Sequence, residues 1–324
     1  RVAANISGPM GASLLGKVID FVFAMLMLRV LGDANAGNYY YAVNVIGLAE
    51  ILGNFGLNVL AAREVARRPA DSGRILSTTS VLRVLLWIAV LPVLGGYLAL
   101  ERTSGHPVGY ETGLAIALLA LAMLPGSLAA GLSAVFQGRE RLVLPAGVSI
   151  VTTLIKVAVG ALVLLAGYGF VGLAGVAVAT NVVTLGILFV LAWREGIRPA
   201  GGVSGAAMGA MLVVALPLML NHLLQTIFFK VDVILLRRFQ TAEVVGWYSS
   251  AYKWIDALLI ISPAVTMALF PLLSRRADDD REGMRRAYVR TLRWLLALAL
   301  PIAAGTTFAA ELLIGVLGGS KFLP

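Results

Sequence analysis

Cysteine is absent, so the 324 residues contain no disulfide framework, thiolate metal site or cysteine nucleophile. Histidine is nearly absent: His106 and His222 are the only two, and no histidine and carboxylate cluster has metal-ligand spacing. The pattern G-x-x-x-x-G-K-[ST] is missing, which excludes nucleotide hydrolysis through that phosphate loop. No catalytic residue, metal or organic cofactor is expected. Charged residues make up only 13% of the chain, against about a quarter in soluble domains. Short strands of alternating polarity are also lacking, which argues against an outer-membrane barrel.

Hydrocarbon takes the place of all these. The chain is 59% hydrophobic with a mean hydropathy of +0.90, and its apolar runs each approach the ~20 residues an α-helix needs to cross a bilayer. Nine spanning segments are predicted, at about 9–31, 37–62, 77–100, 113–137, 142–166, 170–193, 206–236, 243–272 and 287–308. The first run is as long as a spanning helix and lacks a small-residue cleavage site, so no cleavable signal peptide is expected. A chain opening at Arg1 and stopping at "GGSKFLP" is expected to be incomplete at both ends.

The net charge of +9 serves topology rather than nucleic acid. Loops after segments 2, 4, 6 and 8 hold Arg63, Arg67, Arg68 and Arg74, then Arg139 and Arg141, then Arg194 and Arg198, then Arg275, Arg276, Arg281, Arg285 and Arg286. The alternate loops offer only Arg102, Arg237 and Arg238. The positive-inside rule makes the even-numbered loops and the N-terminus cytoplasmic in an inner-membrane protein.

Segment 2 begins "GNYYYA" from Gly37 and segment 8 begins "GWYSSA" from Gly246, sharing G-x-Y-x-x-A. An aspartate lies upstream of each, Asp20 and Asp232, followed by Arg29 and Arg238. Six segments separate the two motifs, the interval a duplicated six-helix unit produces. The fold class expected is all-α: a polytopic membrane protein of two pseudo-symmetric helical bundles, with a six-helix bundle over 1–200 and the first part of a second, incomplete here, over 201–324.

Four of the five lysines, Lys17, Lys156, Lys230 and Lys253, lie within apolar segments, accompanied by Asp20, Glu50, Asp232 and Asp256. Unpaired at helix centres, these eight would cost about 20–28 kcal/mol, more than the ~5–15 kcal/mol by which a protein is stable. Seven of them lie on segments 1, 2, 7 and 8, which are therefore expected to line a common hydrated cavity. At 100° per residue Asn221, Gln225, Phe228 and Asp232 share one face of segment 7, with Lys230 nearly opposite. Tyr40, Asn44, Gly47, Glu50, Asn54 and Asn58 form a similar stripe on segment 2. Glu50, its only carboxylate, suits a proton or sodium ion, whereas the asparagines equally suit interhelical glue. Lys17 and Asp20, like Lys253 and Asp256, are three apart and able to neutralise each other. Lys156 is too deep to snorkel easily, so it either pairs with a carboxylate from another helix or meets an anionic ligand. His222, turned from the Asp232 stripe, reads as a core histidine.

"MLRVLGDANAGNYYYAVNVIGLAEILGNFGLNVLAAREVAR" from Met27 resembles the start of the oligosaccharide flippases of polysaccharide biosynthesis, in the multidrug/oligosaccharidyl-lipid/polysaccharide exporter superfamily. "VDVILLRRFQTAEVVGWYSSAYKWIDALLIISPAVTMALFPLLSR" from Val231 is similar to the matching part of that family's second half. The resemblance implies two six-helix bundles around a cationic cavity, lined by helices 1, 2, 7 and 8. It implies alternating access that carries an undecaprenyl-pyrophosphate-linked oligosaccharide to the outer leaflet with proton or sodium coupling. Lys17, Lys156 and Lys253 become candidate anion contacts, with Asn44, Asn221 and Gln225 beside them as candidate substrate contacts. Glu50, Asp232 and Asp256 become candidates for ion coupling. Membrane lipids, a polysaccharide polymerase and glycosyltransferases are the implied partners. A peptidoglycan-precursor flippase is the nearest rival. A multidrug cation antiporter should favour an acidic cavity, whereas here carboxylates and lysines balance. A membrane glycosyltransferase would need a larger outer loop than "ERTSGHPVGYET" from Glu101.

Overall fold

The computed structural model describes residues 2–101, 108–258 and 281–322, and every regular element among them is a helix. Packing divides the chain into two units, Arg1–Ser249 and Ser250–Pro324.

The first helix, α1, covers Val2–Asn54, so the expected loop between segments 1 and 2 shrinks to a single non-helical residue, Gly32, with φ 75° and ψ 179°. After a break at Phe55 and Gly56, both at positive φ, come α2 (Leu57–Arg67) and a 3₁₀ turn at Pro69–Asp71. Then follow α3 (Ser72–Glu101), α4 (Tyr110–Gly138), α5 (Val143–Leu165), α6 (Gly169–Arg194), α7 (Gly205–Phe239) and α8 (Ala242–Leu258). The eighth segment was expected to reach 272; its remainder lies outside the described residues. Ser204 caps α7 by accepting from Ala207 N at 3.2 Å, satisfying one of the amides a helix start leaves free.

Side-chain contacts give the directions. Arg83 of α3 lies beside Gly131 of α4, and Trp87 Nε1 donates to Ala120 O at 2.8 Å, so these two helices are antiparallel. Asn181 donates to Ala122 O at 2.9 Å and Ala192 clusters with Phe136, so α6 runs with α4. Gly160 meets Leu173 while Gly172 meets Val163, so α5 opposes α6 and runs parallel to α3. The first half of α1 advances with α5, through Asp20 beside Lys156 and Phe23 beside Gly160. Its second half runs against α3, through Tyr41 beside Tyr97 and Asn54 beside Arg83. The chain therefore reverses at Gly32, and α1 contains the first expected segment and the second as far as Asn54. Only a residue without Cβ adopts this φ readily.

Ala61, Val65, Ile75, Leu132, Val135, Phe136, Leu188 and Ile197 form a buried cluster at the end where the arginine-bearing loops after α2, α4 and α6 meet. Outward, large apolar side chains are left bare, including Leu162, Leu224 and Phe228, as suits a surface solvated by lipid tails. Among the described residues six helices are long and apolar enough to cross a membrane, in accord with a multi-pass membrane protein.

In the second unit α9 (Arg281–Phe308) is followed by α10 (Ala310–Gly318) and a 3₁₀ turn at Ser320–Phe322. Trp254 Nε1 donates to Leu313 O at 3.2 Å, and Gly318 packs against the ring of Phe322.

Candidate functional site

Of the two alternatives for Lys156, the structure contains the pairing with a carboxylate from another helix. Its Nζ lies 2.6 Å from Asp20 Oδ1, joining α5 to the first half of α1, with both side chains partly exposed. Asp20 is thus engaged across helices rather than with Lys17, three residues away. Lys17 is exposed and makes no ion pair among the described residues. Lys156 also borders a cavity of about 310 Å³ between α4, α5 and α6, lined by Ser149, Thr153, Asn181 and Thr184 among others.

The segment 2 stripe divides by depth. Asn44 gives its Nδ2 to Tyr40 O at 2.7 Å, whereas Glu50 is exposed midway along a membrane helix. Asn54 and Asn58 are occupied by a residue of α3 outside the predicted site. Arg83 is fully buried, its Nη1 donating to Asn54 Oδ1 at 3.0 Å and its Nη2 to Asn58 Oδ1 at 2.7 Å. Its Nε is buried without a partner beside Gly131. Arg83 and His222 both lie within electrostatic reach of Glu50. His222 is exposed, not the core residue expected. A lone arginine inside the apolar run "VLRVLLWIAV" was the available signal for Arg83; its asparagine partners, 25 and 29 residues upstream, carried none.

The segment 7 stripe also separates. Gln225 Nε2 donates to Asn221 Oδ1 at 3.0 Å, both side chains exposed. Asp232 is half-buried two turns further along the same face, where it accepts from the hydroxyl of Tyr248 on α8 at 2.5 Å. Lys253 and Asp256 are half-buried on the part of α8 that belongs to the second unit. Lys156, Glu50 and Asp232 are therefore held by three different sets of neighbours.

The repeat gains substance from these contacts. Tyr248 is the tyrosine of the second G-x-Y motif and bonds the aspartate upstream of it; Tyr39, its counterpart, lies within electrostatic reach of Asp20. At the same end of the molecule the hydroxyls of Tyr41 and Tyr97 are 2.7 Å apart, Arg237 lies over the Tyr41 ring at 5.9 Å, and Arg238 pairs with the buried Glu101 at 3.4 Å. At the opposite end Arg139 binds Ser72 Oγ at 3.0 Å and the carbonyls of Pro69 and Glu195 at 3.4 Å. Arg141 pairs there with the Glu195 carboxylate at 3.4 Å.

The sequence pattern of the family described as polysaccharide biosynthesis protein matches residues 2–276. The chain belongs to that family. A curated relative, the teichuronic acid biosynthesis protein TuaB of Bacillus subtilis (strain 168), is 27% identical over 95 residues, which span 29% of this polysaccharide biosynthesis protein but only 20% of TuaB. Solved structures share the fold over nearly the whole chain. An inward-facing multidrug resistance MATE family transporter of the MOP superfamily aligns over 99% of this chain and 78% of its own, with a TM-score of 0.68 and 17% identity. A MOP-superfamily transporter from Pyrococcus furiosus, whose binding pocket is described as having reverse polarity, aligns over 98% and 76%, with a TM-score of 0.62 and 16% identity. The family's all-helical transporter-like fold is thus present here, as the resemblance implied.

Proposed function

We propose that this protein is a flippase that carries a lipid-linked oligosaccharide, on an undecaprenyl-pyrophosphate carrier, from the cytoplasmic to the outer leaflet by alternating access. The single observation that carries the reading is the set of polar side chains left open midway along apolar helices: Lys17 and Glu50 on α1, with Asn221, His222 and Gln225 on α7. Facing lipid, each ionised group would cost a few kcal/mol; facing water, it is available to a polar cargo. Membership of the polysaccharide biosynthesis family supports a saccharide cargo. The arginine-rich end is assigned to the cytoplasm by its charge.

In this reading the first bundle extends over 1–200 and the second begins at 201. Lys17, Lys156 and Lys253 contact the pyrophosphate, with Asn44, Asn221 and Gln225 hydrogen-bonding sugar hydroxyls. Lys156 does so only when the anion displaces Asp20, which makes that ion pair a competitor of the substrate. Glu50, Asp232 and Asp256 take up the coupling proton or sodium ion. Glycosyltransferases act before the step and a polysaccharide polymerase after it, and the protein itself catalyses no bond change.

The test is translocation of a fluorescent lipid-linked oligosaccharide in reconstituted vesicles. Changing each of the three lysines to glutamine is expected to slow translocation by about tenfold or more, and unchanged rates in all three variants would overturn the anion site. Replacing Glu50, Asp232 or Asp256 by its amide is expected to abolish the response to an imposed proton or sodium gradient; a response surviving in all three removes them from coupling.

A further inference from the structure

The two G-x-Y-x-x-A motifs do more than betray a repeat, because their glycines meet. A Cβ added to Gly37 would lie 1.8 Å from the carbonyl oxygen of Ala242 and 2.9 Å from the amide nitrogen of Gly246. A Cβ added to Gly246 would lie 2.2 Å from the carbonyl oxygen of Asp33. Ala242 stands four residues before Gly246 and Asp33 stands four before Gly37, so each glycine sits on the carbonyl one turn ahead of the other. The contact is therefore reciprocal, as a two-fold axis between equivalent helices requires. Backbone meets backbone here with no side chain between, at a separation where Cα–H···O contacts form. The contact lies at the end bearing the Tyr41–Tyr97, Arg237–Tyr41 and Arg238–Glu101 contacts, opposite the arginine-rich loops.

We propose that Gly37 and Gly246 form a clasp that holds the second half of α1 against the start of α8, and that opening this end for cargo release requires the clasp to part. The proposal rests on the alternating-access reading above. Glycine suits such a clasp in both of its states. Two glycine backbones dock closely but contribute few dispersion contacts, so the closed form is tight without being costly to leave. Any side chain at either position holds the helices apart and biases the equilibrium towards the open form. Because the contact is self-complementary, a change at Gly37 and a change at Gly246 have the same effect. That equivalence separates a clasp from a local packing defect on one helix.

The lack of cysteine makes the test clean. Ser249, one turn beyond Gly246, is buried with an unpartnered hydroxyl and serves as the reporter position once changed to cysteine. Labelling by a membrane-impermeant maleimide is measured in right-side-out and inside-out vesicles, in the Ser249→Cys protein and with Gly37→Val or Gly246→Val added. Gly95→Val, at a glycine whose Cβ would meet open space, is the control for valine in a membrane helix. Both clasp variants are expected to raise the labelling rate by about tenfold, a shift of some 1.4 kcal/mol in the closed–open equilibrium, while the control leaves it unchanged. Where a valine variant fails to fold, the alanine variants at the same positions are read the same way. Unchanged labelling in both, or a change in only one, would overturn the clasp. Faster labelling confined to inside-out vesicles would preserve the clasp and reverse the assigned orientation. Labelling does not depend on transport, so a failed flippase assay leaves this result standing.

Discussion

At the residue scale the sharpest tension surrounds Arg83. A guanidinium buried in an apolar helix is costly, and two amide oxygens offset only part of that cost because Nε stays without a partner. Two opposite changes therefore differ in effect. Arg83→Leu removes the charge and leaves two neutral carbonyl oxygens behind, a loss of about 1–3 kcal/mol each. Changing Asn54 and Asn58 together to leucine leaves the cation buried with no fixed partner, worth about 3–5 kcal/mol, and adds the strain of larger side chains. The double asparagine variant is expected to melt on the order of 10 °C below the parent and also below Arg83→Leu. Thermal unfolding of the purified proteins in detergent decides the order. The reverse ranking would mean that Arg83 does not depend on these two amides. Little of this was legible beforehand. The asparagine stripe was visible at helical spacing, but which side of the helix met a cation from α3 depends on contacts 25 and 29 residues apart.

At the scale of elements, helices were easy to read, and of the two interruptions within the first 60 residues one was read and the other was not. Apolar runs of membrane length announce crossings because lipid offers backbone groups no alternative partner. "RVLGDANAG", with four Gly, Asp or Asn residues in nine, marked the reversal at Gly32, whereas "GNFGLN", with four in six, was read as part of the polar stripe on segment 2, so the break at Gly56 was missed. Both glycines require positive φ, at +75° and +72°, yet their surroundings differ. A Cβ at Gly32 would meet nothing within 4 Å, so alanine there pays only for its backbone, about 1–3 kcal/mol in a region of φ and ψ that is essentially glycine's alone. Gly56, at φ 72° and ψ 7°, is left-handed helical and costs alanine less in backbone strain, about 1–2 kcal/mol, but a Cβ there would lie 2.9 Å from Leu218 Cβ and 3.1 Å from the amide nitrogen of Met219, which adds a clash against α7. Gly56→Ala is expected to destabilise the protein by more than Gly32→Ala. The melting temperatures of the two variants check this, and a loss at Gly32 as large as that at Gly56 would show that backbone strain outweighs the clash.

For the whole molecule, the arginine pattern and the contact pattern bear on topology independently. The charge rule assigns each loop to a side one at a time. The structure instead ties three loops together: Arg139 reaches Ser72, Pro69 and Glu195, Arg141 pairs with Glu195, and Ala200 N donates to Gly73 O. The connections after α2, α4 and α6 must then share one face whatever the sign of the charge outside, and the Gly167 and Thr241 connections must lie on the other. A chain inserted the wrong way round would carry all of them across together. Single cysteines at Asp71, Glu140 and Gly196, tested with an impermeant maleimide on intact cells, are expected to behave as one group, protected until the membrane is permeabilised. Cysteines at Gly167 and Thr241 are expected to label from outside without permeabilisation. Removing the positive charge of Arg139 and Arg141 weakens the retention signal and the loop contacts at once. Any inverted fraction produced in that way should expose Asp71→Cys and Gly196→Cys to the same extent. Exposure of one without the other would mean that the loops do not move as a body, and that the arginine contacts are not what binds this face together.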